Sequence, residues 1–353
     1  MRRFGSHFSV LAGISFACAP KTPPDPMLAP RLPSPVAGSY ARVPDTPADP
    51  VIAALVAKHS WDASLSGAAA GVALAAVAGT GGLERWEVRE FAWRAGWPYP
   101  VDIIRGWSTS QGATAPAPLV LWLEALDPKA DLGLVRARNA QGDAWVALTS
   151  RPRVDLGVVP RTFPGGATFV IPAVPGGRYA VADPDGRLWE GTLDVAHPVP
   201  LIASGEWLFE VADKLGVVAT FPLYVACRPP EHALISAPPA GQPIPDQVEA
   251  LLHEAREAFG LDPWRRDPLL DSGARALLGG RTDAASLAES VGFSPSRATL
   301  WSCTGATVQT CLDSLLFDPR HRPDLLAPTT HFGLATDSVR EGELAISLLF
   351  ASG

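Results

Sequence analysis

The chain has 353 residues, 47% apolar and 18% charged, enough for large buried cores, and its length sets an expectation of two or three domains. A formal net charge of −7 with no concentrated basic run argues against a nucleic-acid partner. Eleven Trp against two Met point to rigid aromatic cores, and 32 Gly with 36 Pro to frequent turns and extended linkers.

Residues 1–18, "MRRFGSHFSVLAGISFAC", begin with Arg2 and Arg3, continue with an apolar run of about ten residues and place a small residue before Cys18, the pattern of a secretory signal. Two cleavage readings compete. Ala17-Cys18-Ala19 offers an A-x-A site but leaves Pro20 as the first mature residue. Cleavage before Cys18 avoids that proline and resembles a bacterial lipoprotein signal with Cys18 acylated, although Ser15 stands where that motif usually has Leu. The expectation is a protein of the bacterial cell envelope, periplasmic or held at the outer membrane by a lipid on Cys18, and secreted if Cys18 carries none. The apolar run falls short of the roughly 20 residues of a spanning helix. The Ala/Gly run from Ser64 to Gly79 reads as a buried helix.

Residues 19–50 are dense in proline without an apolar period and read as an extended stalk. Residues 51–152 carry mixed α/β signal. "VIAALVAKHSWDASLSGAAAGVALAAVAG" reads as a helical stretch ended at Gly79–Gly82; "PLVLWLEAL" reads as extended; "LGLVRARNAQGDAWVALTS" reads as a hairpin turning near Gln141-Gly142-Asp143. Residues 153–227 alternate in short runs broken by Gly-Gly, Asp-Pro-Asp-Gly and Asp-Lys-Leu-Gly, which predicts an antiparallel β-sandwich of about seven strands.

After a linker at 228–244, helices return over 245–353. Asp246, with Glu249 three residues on, is the expected cap of the first, whose stripe is Val248, Leu251, Leu252, Ala255 and Phe259, with Gly260 ending it. Asp267 before Pro268, Asp283 and Thr307 mark three more starts. "HFGLATD" and "ELAISLLFA" close the chain as strands.

Two segments share a frame. "DLGLVRARNAQGDAWVALTS" and "HFGLATDSVREGELAISLLF" align Gly133 with Gly333, Leu134 with Leu334 and Gly142 with Gly342 at an offset of 200, and Asp62 and Asp267 both open Asp-x-x-Leu-x-x-x-Ala. This suggests that 51–152 is a diverged copy of 245–353; the competing reading is two α/β domains that each end in a Gly-rich hairpin.

Three cysteines remain beyond Cys18, and an odd count leaves at least one thiol free or intermolecular. Cys303 and Cys311, eight residues apart, can pair only off a common helix, because that spacing on one helix spans about 12 Å, beyond the roughly 4.4–6.8 Å of a disulfide.

From "VEALLHEAREAFGLDPWRRDPLLDSGARAL" through "FDPRHRPDLLAPTTHFGLAT" to "ELAISLLFA", residues 245–353 resemble the bacterial branch of the CAP superfamily (cysteine-rich secretory, antigen 5 and pathogenesis-related proteins). The resemblance implies an α-β-α sandwich and a cavity of two histidines and acids that in some members holds a divalent metal. Only His321 falls on a matching position. No histidine lies between His253 and His321, and "TLWSCTGA" stands where the family has its Glu-Asn-Ile motif. One histidine is not a metal site. His321 is therefore a ligand-binding candidate at most, with a structural role expected for it in bonding the backbone between helix and strand. His331 opens a strand.

Elsewhere, "GWSTSQG" (106–112) lacks the second Gly of a nucleophile elbow and reads as a loop, Gly79–Gly82 lacks the context of a nucleotide loop, and Asp183 and Asp185 fit a hairpin turn better than a calcium loop. Trp86, Trp93, Trp97, Trp107 and Trp122 read as core in preference to a ligand groove. The expectation is a non-enzymatic envelope lipoprotein: a stalk, an α/β CAP-like unit, a central β-sandwich and a degenerate CAP domain. It has no catalytic residues, metal or cofactor, and its partner is a cell-wall polymer, an envelope protein or a small apolar molecule. The alternative is an extracytoplasmic hydrolase or metal-binding protein with its site around His321.

Overall fold

The structure is a computed structural model and describes residues 37–78, 85–109, 114–139, 142–230, 241–340 and 342–352. The signal, Cys18, the linker up to residue 36 and the helix stop at Gly79–Gly82 lie outside them. It is mixed α/β with several sheets, and among the described residues no helix is long and apolar enough to cross a membrane.

The first unit runs β1 (Ser39–Tyr40), α1 (Pro50–Val56), β2 (Ser60–Trp61), α2 (Ala63–Ala78), α3 (Arg85–Ala95), β3 (Ile103–Thr109), α4 (Ala117–Glu124), β4 (Asp131–Asn139) and β5 (Gly142–Ser150). Its sheet has the order β2-β4-β5-β3, with β2 parallel to β4 and the other pairs antiparallel.

Three expectations are corrected here. The helical stretch from Val51 is two helices, because β2 intervenes and Asp62 restarts the chain, its Oδ1 accepting from the Leu65 N–H at 3.0 Å. "PLVLWLEAL" is helix α4, not strand: Pro118 sits in the first turn, where its missing N–H has no partner to lose, and Leu119 and Leu123 bury one turn apart. "GWSTSQG" is strand β3 as far as Thr109, with Trp107 opposite Trp145 on β5.

The middle of the chain forms β6 (Val159–Pro160), β7 (Thr162–Phe163), β8 (Ala167–Ile171), β9 (Arg178–Ala182), β10 (Leu188–Thr192), β11 (His197–Leu201), β12 (Gly205–Asp213) and β13 (Gly216–Val225). A five-stranded sheet, β10-β9-β12-β13-β7, is covered by the β8-β11 ribbon. Phe169 of the ribbon meets Phe209 and Phe221 edge-on, with centroids 5.1 and 6.2 Å apart. The sandwich is not wholly antiparallel, since β7 runs parallel to β13. Asp183 makes a turn, its Oδ1 accepting from the N–H groups of Asp185 and Arg187. Nor is the stalk free up to residue 50. β1 pairs with β6, and the fully buried Tyr40 donates its hydroxyl to the Pro222 carbonyl at 2.8 Å.

The last unit runs α5 (Ile244–Ala258), β14 (Arg265–Arg266), α6 (Pro268–Leu278), α7 (Ala284–Ser290), β15 (Ser294–Gly305), α8 (Val308–Phe317), α9 (Arg322–Leu326), β16 (His331–Arg340) and β17 (Glu343–Ser352). Asp267, Asp283 and Thr307 cap α6, α7 and α8. Asp246 is not a cap: α5 starts after Pro243, and the carboxylate sits in the first turn, facing the positive end of the helix dipole.

The sheet order is β14-β16-β17-β15, again with the short first strand parallel and the rest antiparallel. Helix-strand order and sheet topology thus repeat, down to single contacts. Leu134 N–H donates to Ser66 Oγ at 3.3 Å, and Leu334 N–H to Asp271 Oδ1 at 2.7 Å. At Gly133 a Cβ would lie 2.5 Å from the backbone carbonyl of Leu65, and at Gly333 2.1 Å from that of Leu270. In both units the helix after the Asp cap crosses its strand too closely for a side chain, which accounts for the shared glycine.

The two units dock by different faces. In the first unit α2 and α3 join the central core, while α1 and α4 close a separate cluster over Leu132, Leu134, Trp145 and Ala147. In the last unit α5 and α8 join the central core through Phe332, Leu334, Leu348 and Phe350, while α6 and α7 cover Ala335, Leu349 and Ala351. Helix α3 of the first unit therefore meets α8 of the last, and non-equivalent surfaces leave a gap between them.

Candidate functional site

The gap is a cleft of about 370 Å³ bounded by α3, the segment Pro98–Ile104, strands β12 and β13, and α8 with Asp318. Its apolar wall includes Trp93, Val101, Ile104, Val217 and Phe317. Trp93 donates its indole N–H to the Thr220 carbonyl and stands edge-on to Phe317 at 5.7 Å between centroids, so it serves core and cleft at once.

Charge is concentrated along one side. Arg89 grips Asp313 in a two-point pair, both bonds 2.9 Å, and lies 5.1 Å over the Phe317 ring. Arg320 gathers three carboxylates: its Nη1 reaches Glu210 at 2.6 Å and Asp318 at 3.2 Å, and its Nε reaches Glu190 at 2.8 Å. Burial raises the Glu210 pKa above the ordinary carboxylate range, against the opposing bond from Arg320.

Behind the cleft lies an enclosed cluster lined by Glu90, Trp93, Glu206, Tyr224, Phe259 and Arg322, with room for about one water (10 Å³). Arg322 donates to Glu206 at 2.7 Å and stacks over Phe259 at 4.3 Å. Glu90 is pushed up to about 7, first by burial and then by the charge of Glu206, with Arg94, Arg161 and Arg89 pulling the other way. Arg161 donates to the carbonyls of Ala37 and Arg94 and faces the rings of Tyr40 and Tyr224.

The Arg320-His321-Arg322 run is thus divided in use. Both arginines lock the last unit to the sandwich. His321 sits at the start of α9 with its side chain half-buried, makes no cap bond, and has its Nδ1 3.6 Å from Asp324. Its ring faces Trp301 edge-on at 6.5 Å. The backbone-bonding role expected of it belongs to Arg256, whose Nη1 donates to the carbonyls of Leu325 and Ala327, each at 2.9 Å. His331 accompanies Thr330 at 2.8 Å and Phe293 in β16, a different element.

Cys303, on β15, and Cys311, on α8, are bonded, with Cα atoms 5.4 Å apart, tying the cleft-lining helix to the sheet. Cys227 is also disulfide-bonded, so the unpaired thiol expected from the odd count is not found among the described residues.

Among the described residues no group of three or more His, Cys, Asp or Glu side chains could hold a metal ion. The residues lining the cleft include Ser314 but no histidine or cysteine, so no nucleophile–imidazole pair faces it. Sequence reasoning missed Arg89, Glu90, Glu206, Glu210 and Arg320 as a group; their partners lie about a hundred residues or more away in most pairs, and no local pattern marks them.

No family model and no curated protein matches the chain. A solved structure similar to it is a cysteine-rich secretory protein from Staphylococcus aureus subsp. aureus Mu50, 16% identical, covering 73% of this chain and 85% of that one with a TM-score of 0.23, too low a likeness to carry an argument.

Proposed function

We propose that this is a non-enzymatic binding protein of the bacterial cell envelope, built on two CAP-like units and a sandwich, whose ligand occupies the cleft between α3 and α8. The observation that carries this reading is the cleft itself: three units contribute to it, and its apolar wall stands beside buried charge. Export is supported by the signal pattern of residues 1–18 and by the Cys303–Cys311 bond. Attachment through an acylated Cys18 belongs to the same proposal and requires that Cys18 keep its thiol out of any disulfide, so that Cys227 then pairs with another chain.

The test uses the neutral apolar dye N-phenyl-1-naphthylamine. Binding should weaken at least tenfold in Val217→Trp, which fills the cleft from a position 40% exposed. Equal affinity for both proteins would refute the cleft reading. Intact mass of the membrane-extracted protein decides the anchor: a mature chain starting at Cys18 without added acyl mass removes it. His321→Ala should leave dye binding unchanged; loss of zinc binding or of a hydrolytic activity in that variant would return the site to His321.

A further inference from the structure

The cleft holds an uneven balance of charge. The carboxylates at it are Glu210, Asp313 and Asp318, with Glu190 just behind; the cations are Arg89 and Arg320. Asp313 is matched by Arg89 in a two-point pair. That leaves one guanidinium serving Glu190, Glu210 and Asp318.

Glu210 is the informative member. It is 6% exposed, it lines the cleft, and its bond from Arg320 goes to Oε1. Among the described residues no hydrogen bond reaches its Oε2. The buried atoms without partners do not include this oxygen, so Oε2 opens onto the cleft, where a donor or a cation can reach it. The neighbouring wall is aromatic and aliphatic, with Trp93, Phe317 and Val217 within the same cleft, so a donor arriving there comes on an apolar stem.

We infer that the cleft binds an alkylammonium group, its nitrogen donating to Glu210 Oε2 beside Asp318 and its chain lying against Trp93, Val217 and Phe317. This rests on the cleft reading above and adds the chemical class. Arg89 and Arg320 disfavour a bare aliphatic cation less than their number suggests, since both are already engaged by carboxylates. An anionic head placed there would meet the uncompensated acids instead, which selects against it. The ammonium can come from a free amine or from a lysine-like side chain.

Isothermal titration of the full mature protein at pH 7 with octylamine, octan-1-ol and octanoate tests the inference. Octylamine should bind at least tenfold more tightly than octanol, with octanoate weakest. Glu210→Gln should bring octylamine down to the octanol value and leave octanol unchanged; Asp318→Asn, at a less buried carboxylate, should shift it in the same direction and serves if Glu210→Gln folds poorly. A blocked pentapeptide with a central lysine identifies the source. Tighter binding of the peptide assigns the ammonium to a polypeptide or cell-wall peptide, tighter binding of octylamine assigns it to a free amine, and both outcomes require the Glu210 dependence. Octanol and octylamine binding alike, or octanoate binding best, overturns the ammonium class while leaving the cleft reading intact. Binding of octanol that Val217→Trp does not weaken overturns the cleft reading itself.

Discussion

Replacing Glu90 by Gln tests whether the joint between the three units contains a carboxyl held against its charge. Glu90 is 7% exposed, and its pKa lies at about 7 instead of the ordinary 4.5. Burial is the first cause; the charge of Glu206 adds to it, and Arg94, Arg161 and Arg89 offset part of it. Arg322 and Tyr224 line the same enclosed space, and Tyr40 is packed beside them. At about 1.4 kcal/mol for each tenfold change in proton affinity, the separation between 4.5 and about 7 amounts to about 3 kcal/mol. The sign follows from linkage. Between those two values the folded chain keeps a proton that the unfolded chain has lost, so stability falls as pH rises through the window, and above it the full penalty applies. Glutamine has nearly the same shape and no charge. The variant should therefore be more stable than wild type by about 3 kcal/mol at pH 8, by progressively less towards pH 5, and by nothing at pH 4. Urea unfolding midpoints at pH 4, 6 and 8 for both proteins measure this. A difference that is the same at all three pH values would falsify the buried-charge argument, and so would a variant less stable at pH 8.

Gly333→Ala should cost about 3 kcal/mol or more, because the added Cβ lands 2.1 Å from the Leu270 carbonyl; Gly133→Ala should cost somewhat less at 2.5 Å, and calorimetric midpoints rank the two. Arg322→Met leaves Glu206 buried without its partner and should lose about 3–5 kcal/mol. Adding Glu206→Gln should recover most of that loss in a double-mutant cycle, and additive losses contradict the pairing. Replacing both Cys303 and Cys311 by Ser opens a loop eight residues long and should lower stability by about 2–3 kcal/mol. Unchanged thermal midpoints with and without reductant would mean the bond contributes nothing.

Local physical chemistry is written plainly in this chain. Caps at Asp267, Asp283 and Thr307 start their helices where side-chain oxygens can satisfy the first N–H groups. The aligned Gly133 and Gly333 mark the same close crossing in two places, since only a residue without Cβ fits there. The hairpin at Asp183 follows from its own turn residues. Where the apolar period is short, pattern alone does not decide: "PLVLWLEAL" fits strand and helix alike, and packing of Leu119 and Leu123 over β4 and β5 selects the helix.

The cleft was decided by tertiary structure alone. In the Arg-His-Arg run the flanking arginines, not His321, carry the contacts to Glu190, Glu206 and Glu210 of the sandwich. Pairing across more than a hundred residues leaves no local trace, because each charged residue alone looks like any solvated side chain. A chain encodes its turns, caps and close crossings within a few residues of one another. The faces by which two similar units dock, and the space left between them, arise only when distant surfaces meet.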